Sequence, residues 1–115
     1  MAATAEQIFD KIMGAAEASF KDGWSAVRDY APAEFRKMAI QIEEIASNVA
    51  KYKLDPNEGY SPETGKLLFK MQRQACESVL VAVTQLTMIS VQKALDAVVK
   101  ILKNSFKGVI ASVLQ

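Results

Sequence analysis

The side chains that most often do chemistry are scarce in this sequence. It has one cysteine, Cys76, and no histidine. Neither a Ser-His-Asp nor a Cys-His arrangement can therefore be assembled, and no ligand set remains for a tetrahedral zinc site. Cys76 stands next to Ala75 and three residues before Val79, the setting of a cysteine that packs as a small hydrophobe. A lone cysteine forms no internal disulfide and fits a reducing, cytoplasmic location. The chain also opens without a charged stretch leading into an apolar one, so no signal peptide is expected.

Carboxylates could hold a metal inside a helical bundle. Glu43 and Glu44 are adjacent, however, and would project about 100° apart on a helix. Neither has an acidic residue three or four positions away, and the Glu-x-x-His motif of di-iron bundles is missing. The segment Asp55-Pro56-Asn57-Glu58-Gly59 carries three oxygen-bearing side chains, but its proline and short length do not match a calcium loop. No glycine-rich phosphate loop of the GxGxxG or GxxxxGK[ST] kind occurs. The expectation is a protein without enzymatic activity, cofactor or metal.

Lys93, Lys100, Lys103 and Lys107 make a candidate basic face, interrupted by Asp96. Lysines at this spacing could meet phosphates. No arginine or aromatic residue joins them, so nucleic acid is not favoured as a partner. The same segment, roughly 90–114, also carries Leu95, Val98, Ile101, Leu102, Phe106, Val109, Ile110 and Val113. Such an amphipathic helix could lie on a membrane surface, or could equally face a protein core.

The elements that carry these residues read as helices. Thr4 and Gln7 resemble a capping box. Phe9, Ile12, Ala16, Phe20, Trp24 and Val27 then recur every three or four residues, which predicts a helix over about 5–29. Gly14 and Gly23 weaken it without ending it. Pro32 predicts either a kink or a tight turn over Asp29–Pro32. A second helix, about 32–53, carries Phe35, Met38, Ile42, Ile45, Val49 and Tyr52 in alternating steps of three and four. That heptad seam is too short for a free coiled coil and suits a bundle.

The main turn is expected at 53–61. Pro56, Asn57 and Gly59 supply turn conformations, and Ser61-Pro62-Glu63 reads as the start of the next helix. Beyond it no proline occurs. A straight helix from Pro62 to Leu114 would be ~80 Å long, against a radius of gyration near ~13 Å for a compact domain of this size. Ser78 to Gln92 contains fifteen residues without a charge. The stripe Lys66, Lys70, Arg73, Glu77 and the later lysine stripe are rotated by roughly 130° from one another. Either the helix breaks near 78–92, or other chains cover its two ends. No residue marks the break.

These features predict one all-α domain spanning 1–115. It is a helical hairpin or a three- or four-helix bundle with a long C-terminal helical region. The halves 1–58 and 59–115 carry net charges of 7 − 10 = −3 and 7 − 3 = +4, which suits packing of one on the other. Burial is expected for Phe35, Ile42, Ile45 and Val49, and for Val79, Val83 and Leu86.

The functional expectation is a helical interaction or assembly protein, acting by homo-oligomerisation or through partner helices. Its candidate interaction surface comprises Val79, Val83, Leu86, Ile89, Val98, Ile101 and Phe106. The alternative is a membrane-surface protein using the C-terminal helix. A third reading is an apolar ligand held between the helices near Phe and Met side chains and Trp24.

Overall fold

The computed structural model describes residues 3–114. Its elements are α1 (Ala5–Phe20), a 3-10 turn (Lys21–Gly23), α2 (Trp24–Val27), α3 (Ala31–Leu54), α4 (Pro62–Val83), α5 (Met88–Ser105) and α6 (Val109–Val113). The described residues are all-helical. The four long helices pack in the cyclic order α1, α3, α4, α5, with α1 diagonal to α4. Each runs antiparallel to its neighbours. Ala5 meets Glu43, Gly65 meets Ile45 and Val49, and Arg73 meets Asp96. The expected bundle is realised as a four-helix, up-and-down arrangement, with the two short helices at its ends.

The caps follow the sequence closely. Thr4 Oγ1 accepts from the Gln7 backbone while the Gln7 side chain accepts from the Thr4 backbone, so two otherwise orphaned N–H groups are satisfied. Ser61 accepts from the Thr64 backbone N–H, with Pro62 in the first turn. In the expected turn, Asp55 accepts from the Asn57 N–H and Gly59 adopts φ 60°. A Cβ on Gly59 would lie 1.9 Å from the Asn48 carbonyl oxygen. Glycine is thus required by both the conformation and the close approach.

Of three breaks, the first differs from the sequence reading and the other two decide alternatives that it left open. The first helix ends at Phe20, short of residue 29, where Lys21 takes φ 53°. The chain then bends so that Val27 enters the core, fully buried. Gly23 belongs to this break, and a Cβ there would make ordinary van der Waals contact with the Leu86 methyls. Pro32 does not kink a continuous helix but sits in the first turn of α3, where its missing N–H is not needed. The third break falls at Thr84–Thr87. Thr84 Oγ1 donates to the Leu80 carbonyl at 2.6 Å and accepts from the Leu86 N–H at 3.1 Å, while Thr87 caps α5 by accepting from the Ser90 N–H. Two threonines that compete for backbone hydrogen bonds therefore mark the break. A further turn at Gly108, φ 78°, folds α6 back against α3 and α4.

The core runs the length of the bundle. Phe35, Met38, Ile42, Ile45 and Val49 from α3 are fully buried, and Tyr52 is half-buried. From α5, Val91, Leu95, Val98 and Leu102 are fully buried. Burying such side chains contributes about 1.5–3 kcal/mol each. The burial expectation fails for three residues around the end of α4: Val79 and Leu86 are only half-buried and Val83 is 40% exposed, although Leu80 between them is fully buried. They sit where α4 ends and the chain turns, so no neighbouring helix encloses them. The charge asymmetry of the halves does not appear as pairing between them. Among the described residues, the ion pairs Arg36–Glu6, Lys37–Glu34, Arg73–Glu77 and Arg73–Asp96 each lie within one half.

Candidate functional site

Helix α4 places its charges in an unusual position. Its charged residues are Glu63, Lys66, Lys70, Arg73 and Glu77. At about 100° per residue they fall within an arc of about 80°. That arc leans toward α5, where Arg73 donates to Glu77, Asp96 and the Gln92 carbonyl. Glu77 is buried there, 5% exposed. At Arg73 and Glu77 this charged stripe is a helix–helix seam.

Glu63 and Lys70 stay exposed at one edge of α4, and beside them lies an uncharged arc. Thr64, Leu67, Met71, Gln74, Ala75, Ser78 and Ala82 are all exposed, and with half-buried Leu68 and Val79 they span an arc of about 140°. Leu67 is 58% exposed and Met71 57%. Val83, the last residue of α4, and Met88 and Ile89 at the start of α5 are also exposed, and Leu54, 89% exposed, precedes the turn that leads into α4. The arc is uncharged but mixed, with Thr64, Gln74 and Ser78 between its apolar members.

The sequence-derived interaction residues do not form one surface. Val98 is inside the core, and Ile101 and Phe106 are half-buried. Leu86 packs on Gly23 and Phe106 lines a groove at the opposite end of the bundle. Val79, Val83 and Ile89 alone border the α4 face. Leu67 and Met71, its largest exposed members, lie outside the expected set. Their signal was present in the sequence: all five α4 charges cluster on one side, which leaves the other uncharged.

Lys93, Lys100 and Lys107 are exposed and Lys103 is half-buried. None of the four forms an ion pair among the described residues. The apolar side of α5 that a membrane-surface helix would use is turned into the bundle, through Val91, Leu95, Val98 and Leu102. Among the described residues no helix is long and apolar enough to cross a membrane.

Little else is poised for chemistry. Cys76 is fully buried, and its thiol is pushed up to about 12 by burial first, then by the nearby Glu34 and Glu77. The thiolate that nucleophilic attack requires is thus disfavoured. Burial also raises the Tyr60 hydroxyl above its ordinary value. No group of three or more metal-ligating side chains occurs among the described residues. A groove of 1070 Å³ lies between the C-terminal half of α3 and the turn into α6, lined by Ala46, Ala50, Leu54, Phe106 and Val109 among others. Trp24, at the other end of α3, does not line it. Comparison with protein-family models, curated proteins and solved structures finds no match for this chain.

Proposed function

We propose that this chain is a non-enzymatic helical interaction protein that works by self-association through the outer face of α4. The observation that supports this reading is the uncharged, solvent-facing arc of that helix, with Leu67 and Met71 each more than half exposed. A continuous C-terminal helix would have needed other chains to cover its two ends. The turn at Thr84–Thr87 lets the bundle cover α5 by itself, so the need for a partner moves from that segment to α4.

The size of the face sets the strength of the contact. With 22 residues, α4 is about 33 Å long, and a strip about 12 Å wide along it covers roughly 400 Å². That is half of the ≈ 800 Å² per partner of a standard interface. Doubled, the strip is about 800 Å² in total, so weak, transient association is expected. Light scattering across a concentration series tests this. The mass should rise from the 12.6 kDa of one chain toward a multiple of it, and Met71→Glu should hold it at one chain while preserving helicity. A single-chain mass far above micromolar concentrations would refute the proposal.

A further inference from the structure

Beyond self-association, we propose that the side of the bundle formed by α4 and α5 docks on a lipid bilayer carrying anionic headgroups. Two charged stripes meet on that side. Lys93, Asp96, Lys100 and Lys103 of α5 fall within an arc of about 80°. Asp96 in that arc pairs with Arg73 in the charged arc of α4. Each stripe is therefore turned toward the other helix. The helices are antiparallel with Arg73 level with Asp96, which brings Lys70 level with Lys100 and Lys66 level with Lys103. Lysines thus face one another along the seam instead of alternating with acids. Helix α6 packs against both α4 and α5, and its residues Val109–Val113 add no charge.

The acids of this side do not offset the lysines. Arg73 holds both Glu77 and Asp96, so Lys66, Lys70, Lys93, Lys100 and Lys103 stand against Glu63 alone. None of these lysines forms an ion pair among the described residues. A cluster of about four to eight basic side chains on one surface is what acidic lipid headgroups attract. The opposite side, α1 with α3, belongs to the net-negative half of the chain. An anionic surface therefore draws one side of the bundle and repels the other, which fixes its orientation. Nucleic acid would also attract lysines, but this side has no exposed aromatic ring, and its arginine is already engaged. The groups that stack on bases or clasp phosphates in pairs are thus missing. Leu67 instead follows Lys66 directly and neighbours Lys70 on the helix, 58% exposed. An apolar side chain among lysines suits the boundary between headgroups and acyl chains.

Co-sedimentation of the whole chain with vesicles tests this. Vesicles containing phosphatidylserine should carry the protein into the pellet, and vesicles of phosphatidylcholine alone should leave it in solution. Added salt should release it. Lys70→Gln combined with Lys100→Gln should weaken binding roughly 25-fold, at about fivefold for each lysine. Lys11→Gln combined with Lys53→Gln makes the same change in net charge at exposed lysines of the other half, and should not weaken it. Circular dichroism checks that each variant keeps its helices. Equal losses from the two pairs would show that net charge, and not this side of the bundle, is read, and would overturn the proposal. So would failure to sediment with phosphatidylserine vesicles at low salt, or tighter binding to a DNA duplex than to those vesicles in the same buffer.

Discussion

Truncating Leu80 and Leu86 to alanine, one at a time, measures where the C-terminal half of the chain turns. Both leucines belong to the uncharged run and look alike in sequence. In the structure Leu80 is fully buried, whereas Leu86 is half-buried in the turn with its methyls against Gly23. Leu80→Ala removes three buried carbons, worth about 2.4 kcal/mol of transfer free energy at ~0.8 kcal/mol each. The cavity left among packed helices raises the cost to about 3–5 kcal/mol. The backbone is spared, since the Leu80 carbonyl keeps its bonds from the Thr84 N–H and hydroxyl. Leu86→Ala loses about half of that transfer free energy and leaves a site open to collapse, so it should cost about 1 kcal/mol. Urea unfolding followed by helical circular dichroism, below the concentration of association, reads both, provided the slopes agree. Equal costs for the two variants would refute the turn at Thr84–Thr87. They would restore the continuous helix with Leu86 in a shared core, the setting in which a loss of ~2–5 kcal/mol is expected from burial alone.

Gly59→Ala should lower the melting temperature more than Gly108→Ala. Both sites have positive φ, which costs roughly 1–3 kcal/mol for alanine, but only at Gly59 does the new Cβ also strike a backbone oxygen. Arg73→Met leaves the buried Glu77 carboxylate without its guanidinium and should cost about 1–3 kcal/mol. Adding Glu77→Gln should recover part of that loss in a double-mutant cycle, and a purely additive cycle would show that the pair is not coupled. The Cys76 thiol should resist a thiol reagent at pH 8 until the protein unfolds. Because its pKa is raised in the folded chain from an ordinary 9.0 to about 12, its contribution is intact below pH 9. It declines as the unfolded thiol ionises, between pH 9 and 12. Cys76→Ala should flatten that part of the stability profile, and an unchanged slope would show the thiol is not set apart from solvent.

Much of the fold was legible because it is written in local chemistry. The capping box at Thr4, the N-cap at Ser61, the turn at 53–61 and the α3 seam from Phe35 to Val49 all follow from hydrogen-bonding capacity and periodicity within a few residues. The break at Thr84–Thr87 was marked as faintly as a break can be. Threonine tolerates a helix interior, and its hydroxyl ends one only when the chain beyond gains more by turning back. Here the gain is the burial of α5 against α1. The reversal at Lys21 had still less signal, since a positive φ at lysine is held by the burial of Phe20 and Val27 on either side of it.

The candidate site shows the same division. That α4 has a charged side and an uncharged side is a property of sequence spacing alone, as is its lack of any histidine or second cysteine with which to build a reaction centre. Which side faces water was decided by tertiary structure. Arg73 reaches Asp96 across the α4–α5 seam, and Glu77 follows it into the interior. The long-range Arg73–Asp96 pair goes with Arg73 and Glu77 turned toward α5, while Leu67 and Met71 stay in solvent beside the exposed Glu63 and Lys70. Periodicity orders side chains around a helix axis, but the direction in which the helix is turned depends on neighbours far away in the chain, and only packing supplies those.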